Sequence, residues 1–269
     1  MNMPYVHGYQ PEENERLRDQ AATLADLLHS GTAYAQGARV LEAGCGVGAQ
    51  TITLASRSPD ARITSIDVSA TSLAAARRNA TAAGITTVEF LQADIFSLPF
   101  AAQSFDHVFV CFVLEHLKEP PAALHALRRL LKPGGTITVI EGDHGSTLFH
   151  PDDPAAKEAV RCLVELQRRA GGNALIGREL YPLLVAAGFS DVTIEPRMVY
   201  ADASRPTWVE GFTRKTFMAM IEGVQRSAVD AGLIAAERFA EGLHALKRTT
   251  RPDGMFGYTF FKAVARVHA

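Results

Sequence analysis

Apolar positions in the first half of the chain fall into short runs separated by stretches with helical spacing. Pro11, Glu12 and Glu13 open an amphipathic stretch with Leu17, Leu24 and Leu28 on one face and Gly31 as a stop, which predicts a helix. Strands are predicted at 39–43, 62–66 and 88–91, and helices at 50–56 and 69–83. Ser69 is the expected N-cap of the second helix and Gly84 lies beyond its end. Residues 105–114 are almost continuously apolar, as in a central parallel strand covered on both faces. Pro120 and Pro121 start a helix that ends before Lys132-Pro133-Gly134-Gly135, and 136–141 is the next strand. Repeated strand–helix units imply a parallel sheet with right-handed crossovers.

The second half has a different rhythm. Val160, Leu163 and Val164 have helical spacing, and Gly171-Gly172-Asn173 stops that helix. Residues 178–187 read as helix despite Pro182. Residues 192–195 and 256–267 read as strands. Between them 207–248 is helical, with Phe217, Met220, Ile221 and Val224 on one face. Neither an internal repeat nor a low-complexity segment interrupts the chain. The pattern predicts one nucleotide-type sheet domain with helical insertions forming a lid.

Composition narrows the function classes. The 269 residues are 47% hydrophobic and 21% charged, which excludes a disordered chain, a collagen and a coiled coil. A formal charge of -2 lacks the basic excess of a nucleic-acid binder. Cys45, Cys111 and Cys162 are far apart and form no Cys-x-x-Cys, so neither a zinc ribbon nor a disulfide framework is indicated, and no metal is expected. Cys45 and Cys162 read as small apolar fillers. The polar start is not a signal peptide, and the 108–114 run is too short to span a bilayer. A cytoplasmic location without membrane partners is the expectation; the oligomeric state is left open.

The candidate chemistry begins where the first predicted strand runs into Glu42-Ala43-Gly44-Cys45-Gly46-Val47-Gly48. Alternate glycines let the backbone turn tightly and approach a ligand at the carboxyl edge of the sheet. Asp67 ends the next strand and suits both ribose hydroxyls. Asp94 ends the third and suits the exocyclic amine of adenine, with Ile95 against the ring. Position 49 is Ala, against the dinucleotide fingerprint, and no Lys-Ser/Thr follows, against a P-loop. Glu42 would repel a phosphate but suits the ammonium of an amino acid. Together these fit a nucleoside carrying an amino-acid tail.

In these motifs the sequence resembles the class I S-adenosylmethionine-dependent methyltransferases, and within them the small-molecule group with a ubiquinone/menaquinone-methyltransferase-like core. The resemblance spans residues 38–142. It rests on the glycine loop, Asp67, Asp94, the Phe105-Asp106-His107-Val108 to Leu114-Glu115-His116-Leu117 stretch, and Leu131-Lys132-Pro133-Gly134-Gly135. It implies an α/β fold: a Rossmann-like, doubly wound seven-stranded sheet, mostly parallel with an antiparallel last strand. By this resemblance Glu42, Gly44 and Gly46 hold the methionine part of S-adenosylmethionine, Asp67 the ribose, and Val68, Asp94 and Ile95 the adenine. The backbone at Cys111 faces the methionine end, and Gln50 is a further candidate. Tyr5 and Tyr9 precede an N-terminal helix of a kind that closes over the cofactor in related enzymes.

The domain organisation expected is a single methyltransferase domain over 1–269. Within it lie an N-terminal lid helix (1–31), a cofactor core (38–142), a helical lid and acceptor region (145–175 and 204–250), and a terminal strand pair (190–200 and 256–267). Trp208, Phe212, Phe217 and Met220 are expected to pack the lid's own core. His116 and His144 follow the fourth and fifth strands, where the acceptor pocket lies in this fold, and either imidazole suits a proton transfer near neutral pH. Glu115, Glu141 and Asp143 are placed to orient them or to meet a cationic acceptor, and Arg178 and Tyr181 lie after the lid insertion. The expected reaction is methyl transfer to oxygen or nitrogen, in preference to carbon, of a small molecule. The alternatives are a cyclase or lyase using the same cofactor, a non-catalytic binding protein, and a nicotinamide-dependent dehydrogenase.

Overall fold

A computed structural model describes the backbone of residues 11–268 and the side chains of residues 20–268. Seven strands form one sheet: β1 (Arg39–Ala43), β2 (Arg62–Asp67), β3 (Val88–Gln92), β4 (Phe105–Cys111), β5 (Leu131–His150), β6 (Ser190–Asp202) and β7 (Met255–Arg266). Their spatial order is β3-β2-β1-β4-β5-β7-β6. β1 to β5 pair in parallel, whereas β7 runs antiparallel to both β5 and β6. This is the mixed, doubly wound sheet that the family resemblance implied, and its parallel part is what the alternation of elements implied. The order reverses between β1 and β4, where an open α/β sheet leaves a crevice at its carboxyl edge.

The helices are α1 (Pro11–His29), α2 (Ala49–Arg57), α3 (Ala70–Ala82), α4 (Pro120–Leu130), α5 (Pro154–Arg169), α6 (Leu180–Ala186), α7 (Pro206–Trp208), α8 (Ala219–Gly223), α9 (Gln225–Asp230) and α10 (Ala236–Arg248). Ser69 caps α3, its hydroxyl accepting from Ser72 N at 3.1 Å. Pro182 is tolerated because it falls in the first turn of α6, where an N–H has no intrahelical partner. Two apolar layers sandwich the sheet. One joins Phe109, Phe256 and Phe260 to α1, α5 and the 209–246 helices; the other joins Val108, Val110 and Val139 to α4 and α6.

Three differences from the sequence pattern bear on the site. β4 ends at Cys111, not at 114, because Phe112 turns into the left-handed region (φ 57°) and Leu114–His116 forms a 3-10 turn. Residues 145–150, expected in the helical region, are strand: after an irregularity between Asp143 and Leu148, β5 pairs with β7 again at Leu148, Phe149 and His150. The region 207–248 is a broken series, and Val209–Met218 within it is π-helical. Trp208 and Met220 are only partly buried, whereas Phe212 and Phe217 are fully buried among Phe256, Tyr258 and Phe260.

Candidate functional site

The carboxyl ends of β1, β2 and β4 converge on the glycine loop. Gly44, Gly46 and Gly48 all have positive φ (79°, 52° and 77°). A Cβ at Gly44 would lie 2.4 Å from Val113 Cγ2, so only glycine lets β1 pass under the turn after β4. A Cβ at Gly46 would meet nothing within 4 Å, so this peptide borders open space. The loop is therefore pressed against protein on one side and open on the other.

Two carboxylates, Glu42 and Asp67, stand at it, and Asp94 follows the end of β3, beyond β2. Glu42 is 2% exposed, and its Oε2 accepts from the hydroxyls of Thr51 and Ser65, both at 2.6 Å. Burial pushes its carboxyl up to about 7; the two hydroxyls oppose this and neighbouring Asp67 adds to it. Asp67 accepts from Gly46 N at 2.9 Å and Ser69 N at 2.8 Å, one on each oxygen. Burial raises its pKa, against the pull of those N–H groups. Each oxygen keeps a second lone pair for a hydroxyl donor. Asp94 is exposed and binds Phe96 N through Oδ1 at 2.9 Å. Val68 and Phe96, 51% and 46% exposed, stand beside these strand ends, with Ile95 half-buried. Polar acceptors interleaved with exposed apolar side chains suit an adenosine. The donor set, the open face at Gly46 and the buried acid behind it fit S-adenosylmethionine.

Other candidates have different surroundings. Gln50 accepts from His29 Nε2 at 2.7 Å, which ties α2 to the end of α1. Cys111 is buried, with its thiol pushed well up by burial and then by Glu141, Glu42 and Glu115. Tyr5 and Tyr9 lie outside the described residues. His116 ends the 3-10 turn, with Nε2 3.6 Å from Glu115 Oε1. His144 falls inside β5, at the irregularity, and its Nδ1 is 2.9 Å from the Tyr258 hydroxyl. Tyr181 is 55% exposed.

Beyond β4 and β5 lies a buried polar layer. Glu141 Oε1 accepts from Val113 N at 3.0 Å and Leu114 N at 2.7 Å, which fixes the turn that faces Gly44. Its Oε2 is buried without a hydrogen-bond partner among the described residues, and burial, with Glu115 nearby, drives its carboxyl well up. Gln167 of α5 donates to both the carbonyl and the carboxylate of Glu115, each at 3.1 Å. Asp143, 3% exposed at the side chain, takes a two-pronged bond from Arg178 at 2.8 Å on both arms. Thr51, Ser65, Gln167 and Tyr258 escape sequence reasoning. The two hydroxyls are ordinary residues on a helix and a strand, and Tyr258 sits 114 residues from its partner. Among the described residues no group of three or more metal-ligating side chains occurs, and no helix is long and apolar enough to cross a membrane.

Comparison with known proteins bears on the family. The methyltransferase domain family matches residues 41–139. A 27-O-demethylrifamycin SV methyltransferase from Amycolatopsis mediterranei is 30% identical over 83% of this chain and 76% of its own length. A demethylmenaquinone methyltransferase from Thermus thermophilus is 38% identical over 38% of this chain and 46% of its own. A 37.1 kDa protein carried in a Streptomyces fradiae transposon is 35% identical over 76% of this chain and 59% of its own. The chain thus spans about half the length of the last two relatives. In fold, the [4+2]-cyclase SpnF superposes with a TM-score of 0.55 at 24% identity, over 91% of this chain and 81% of that one. The chain belongs to the S-adenosylmethionine-dependent methyltransferase family.

Proposed function

We propose that the chain transfers the methyl group of S-adenosylmethionine to an oxygen or nitrogen of a small-molecule acceptor, releasing S-adenosylhomocysteine. The observation that carries this reading is Glu42 and Asp67 at a loop open at Gly46, with Asp94 just past the next strand end. Glu42 meets the ammonium of the methionine tail, with Gly44, Gly46 and the backbone at Cys111 around that tail. Asp67 takes the ribose hydroxyls; Val68 and Ile95 cover the adenine and Asp94 meets its amine. Gln50 acts indirectly, by holding α1 against α2. The bound cofactor supplies a methyl group on a positive sulfur, so the chain has to align the acceptor, exclude water and take up its proton. His116 and His144 are the two imidazoles at the acceptor end. α1, α5 and the 204–250 segments form the lid over a single domain; Tyr5 and Tyr9 precede α1 in the sequence. A charge of -2 and the apolar lid favour a small, partly apolar acceptor over a nucleic acid.

Isothermal titration with S-adenosylmethionine, S-adenosylhomocysteine and NADH tests the site. Micromolar binding of the first two and none of NADH is expected, and Asp67→Ala should weaken binding at least tenfold, about 1.4 kcal/mol. Unchanged affinity in the folded variant would remove Asp67 from the site. Release of S-adenosylhomocysteine during turnover separates methyl transfer from a cyclase or lyase reaction on this fold.

A further inference from the structure

Two buried side-chain oxygens lie close to Glu115, one on Glu141 and one on Gln167, and neither has a partner among the described residues. Glu141 follows Ile140, which pairs with Cys111, so it stands at the carboxyl edge of β4 and β5, next to the backbone assigned to the methionine end. It is fully buried, and its Oε1 is taken by the N–H groups of Val113 and Leu114, which leaves Oε2 alone. Neither protonation state relieves this, because a carboxylate Oε2 lacks a donor and a protonated one lacks an acceptor. Gln167 of α5, 1% exposed, donates through Nε2 to both the carbonyl and the carboxylate of Glu115. Both amide protons are thereby used. Turning the amide over would set oxygen against oxygen twice, so Oε1 is fixed as an acceptor. Buried polar atoms are rarely left in this state, and two of them in one layer mark a place for a ligand's hydrogens.

The charge around these oxygens selects the ligand. The charged neighbour acting most strongly on Glu141 is another acid, Glu115, which together with burial drives its carboxyl well up. Burial and the acids nearby also raise the Cys111 thiol and the Tyr258 phenol, so neither ionises near neutral pH. On the other elements, Arg178 is bound two-pronged to Asp143, His116 Nε2 lies 3.6 Å from Glu115, and His144 meets Tyr258 at 2.9 Å. An anion would be repelled here and brings no hydrogens. A protonated amine brings positive charge and several N–H donors, enough for Glu141 Oε2 and Gln167 Oε1 together. We propose that Glu141 and Gln167 form the recognition site for a protonated amine on the methyl acceptor. Glu141 gives its proton to solvent as the ion pair forms. A hydroxyl would have the opposite linkage, accepting from the protonated acid and holding that proton in place. The inference rests on the methyltransferase reading for calling the amine an acceptor, but not for its test.

The test is carbon NMR of full-length protein labelled at the glutamate carboxyls, titrated over pH in methylammonium chloride, with sodium chloride and methanol as controls. Glu141→Gln assigns the resonance. Methylammonium should lower the midpoint of Glu141 ionisation by about one pH unit or more, a tenfold preference for the ionised form, and the controls should not. Gln167→Leu should reduce that shift. A midpoint that methylammonium leaves unmoved, that sodium chloride lowers as far, or that methanol alone moves would overturn the proposal; so would an undiminished shift in a folded Gln167→Leu. If either variant does not fold, wild-type calorimetry in two buffers of different ionisation enthalpy decides. Methylammonium binding at pH 7 should release protons, and binding without release, or no binding, would overturn the site. None of these measurements needs S-adenosylmethionine, so its failure to bind would count against the proposed function and leave this site standing.

Discussion

At the scale of single residues, the buried acid behind the glycine loop should make cofactor binding pH-dependent if it meets the cofactor's ammonium as proposed. The Glu42 carboxyl of the ligand-free chain is raised from 4.5 to about 7, so the folded state binds a proton that the unfolded chain releases. Its contribution to stability is therefore full below 4.5 and is lost as pH rises through 7. An ammonium placed beside Glu42 favours the ionised form, so affinity for S-adenosylmethionine should rise as pH approaches 7 and then level off. A gain of about tenfold between pH 5.5 and 7.5 is expected by titration calorimetry, with a flat profile in Glu42→Gln. A flat wild-type profile would show that no ammonium sits there. His29 has the opposite sign: burial lowers its pKa from 6.5 to about 4. Its contribution is present above 6.5 and lost as pH falls through 4, amounting to about 3 kcal/mol. Urea titrations should show this acid loss in the wild type, and a smaller one in His29→Gln.

At the scale of elements, the glycine loop divides stability from binding. Gly44→Ala puts a methyl group into Val113 at positive φ and should cost about 2–4 kcal/mol in urea unfolding. Gly46→Ala meets nothing and should cost only about 1–2 kcal/mol, but its methyl group enters the space offered to the cofactor, so S-adenosylmethionine affinity should fall at least tenfold. Equal affinity for the wild type and Gly46→Ala would place the cofactor elsewhere. The glycines were legible as a loop in the sequence. Which of them touches protein was not, because Val113 reaches Gly44 only through the left-handed turn at Phe112.

At the scale of the whole molecule, the N-terminal helix is docked by the second half of the chain. Gly211, in the π-helical run, lies so close to Thr23 of α1 that a Cβ there would be 2.1 Å from Thr23 Oγ1. Lys262 of β7, 4% exposed, donates to Ser30 O and Thr32 Oγ1 at 2.6 Å just beyond that helix. Gly211→Val should loosen α1 by about 1–3 kcal/mol and speed proteolysis before residue 31, with the rest of the chain protected. Cleavage no faster than in the wild type would mean that this contact does not hold the helix.

The sequence by itself determined the alternation of elements, the loop and the acids at the strand ends. These follow from local periodicity and from the need for a carboxylate where a parallel strand delivers its last residue to the sheet edge. It also carried Glu141, Asp143 and His144 as candidates, but not their contacts. Tertiary structure alone decided that Gln50 meets His29, that Glu141 holds the turn after β4, and that Tyr258 meets His144. Each depends on antiparallel register, a sharp turn or helix docking across long stretches of chain, and burial then sets the protonation of the groups so enclosed.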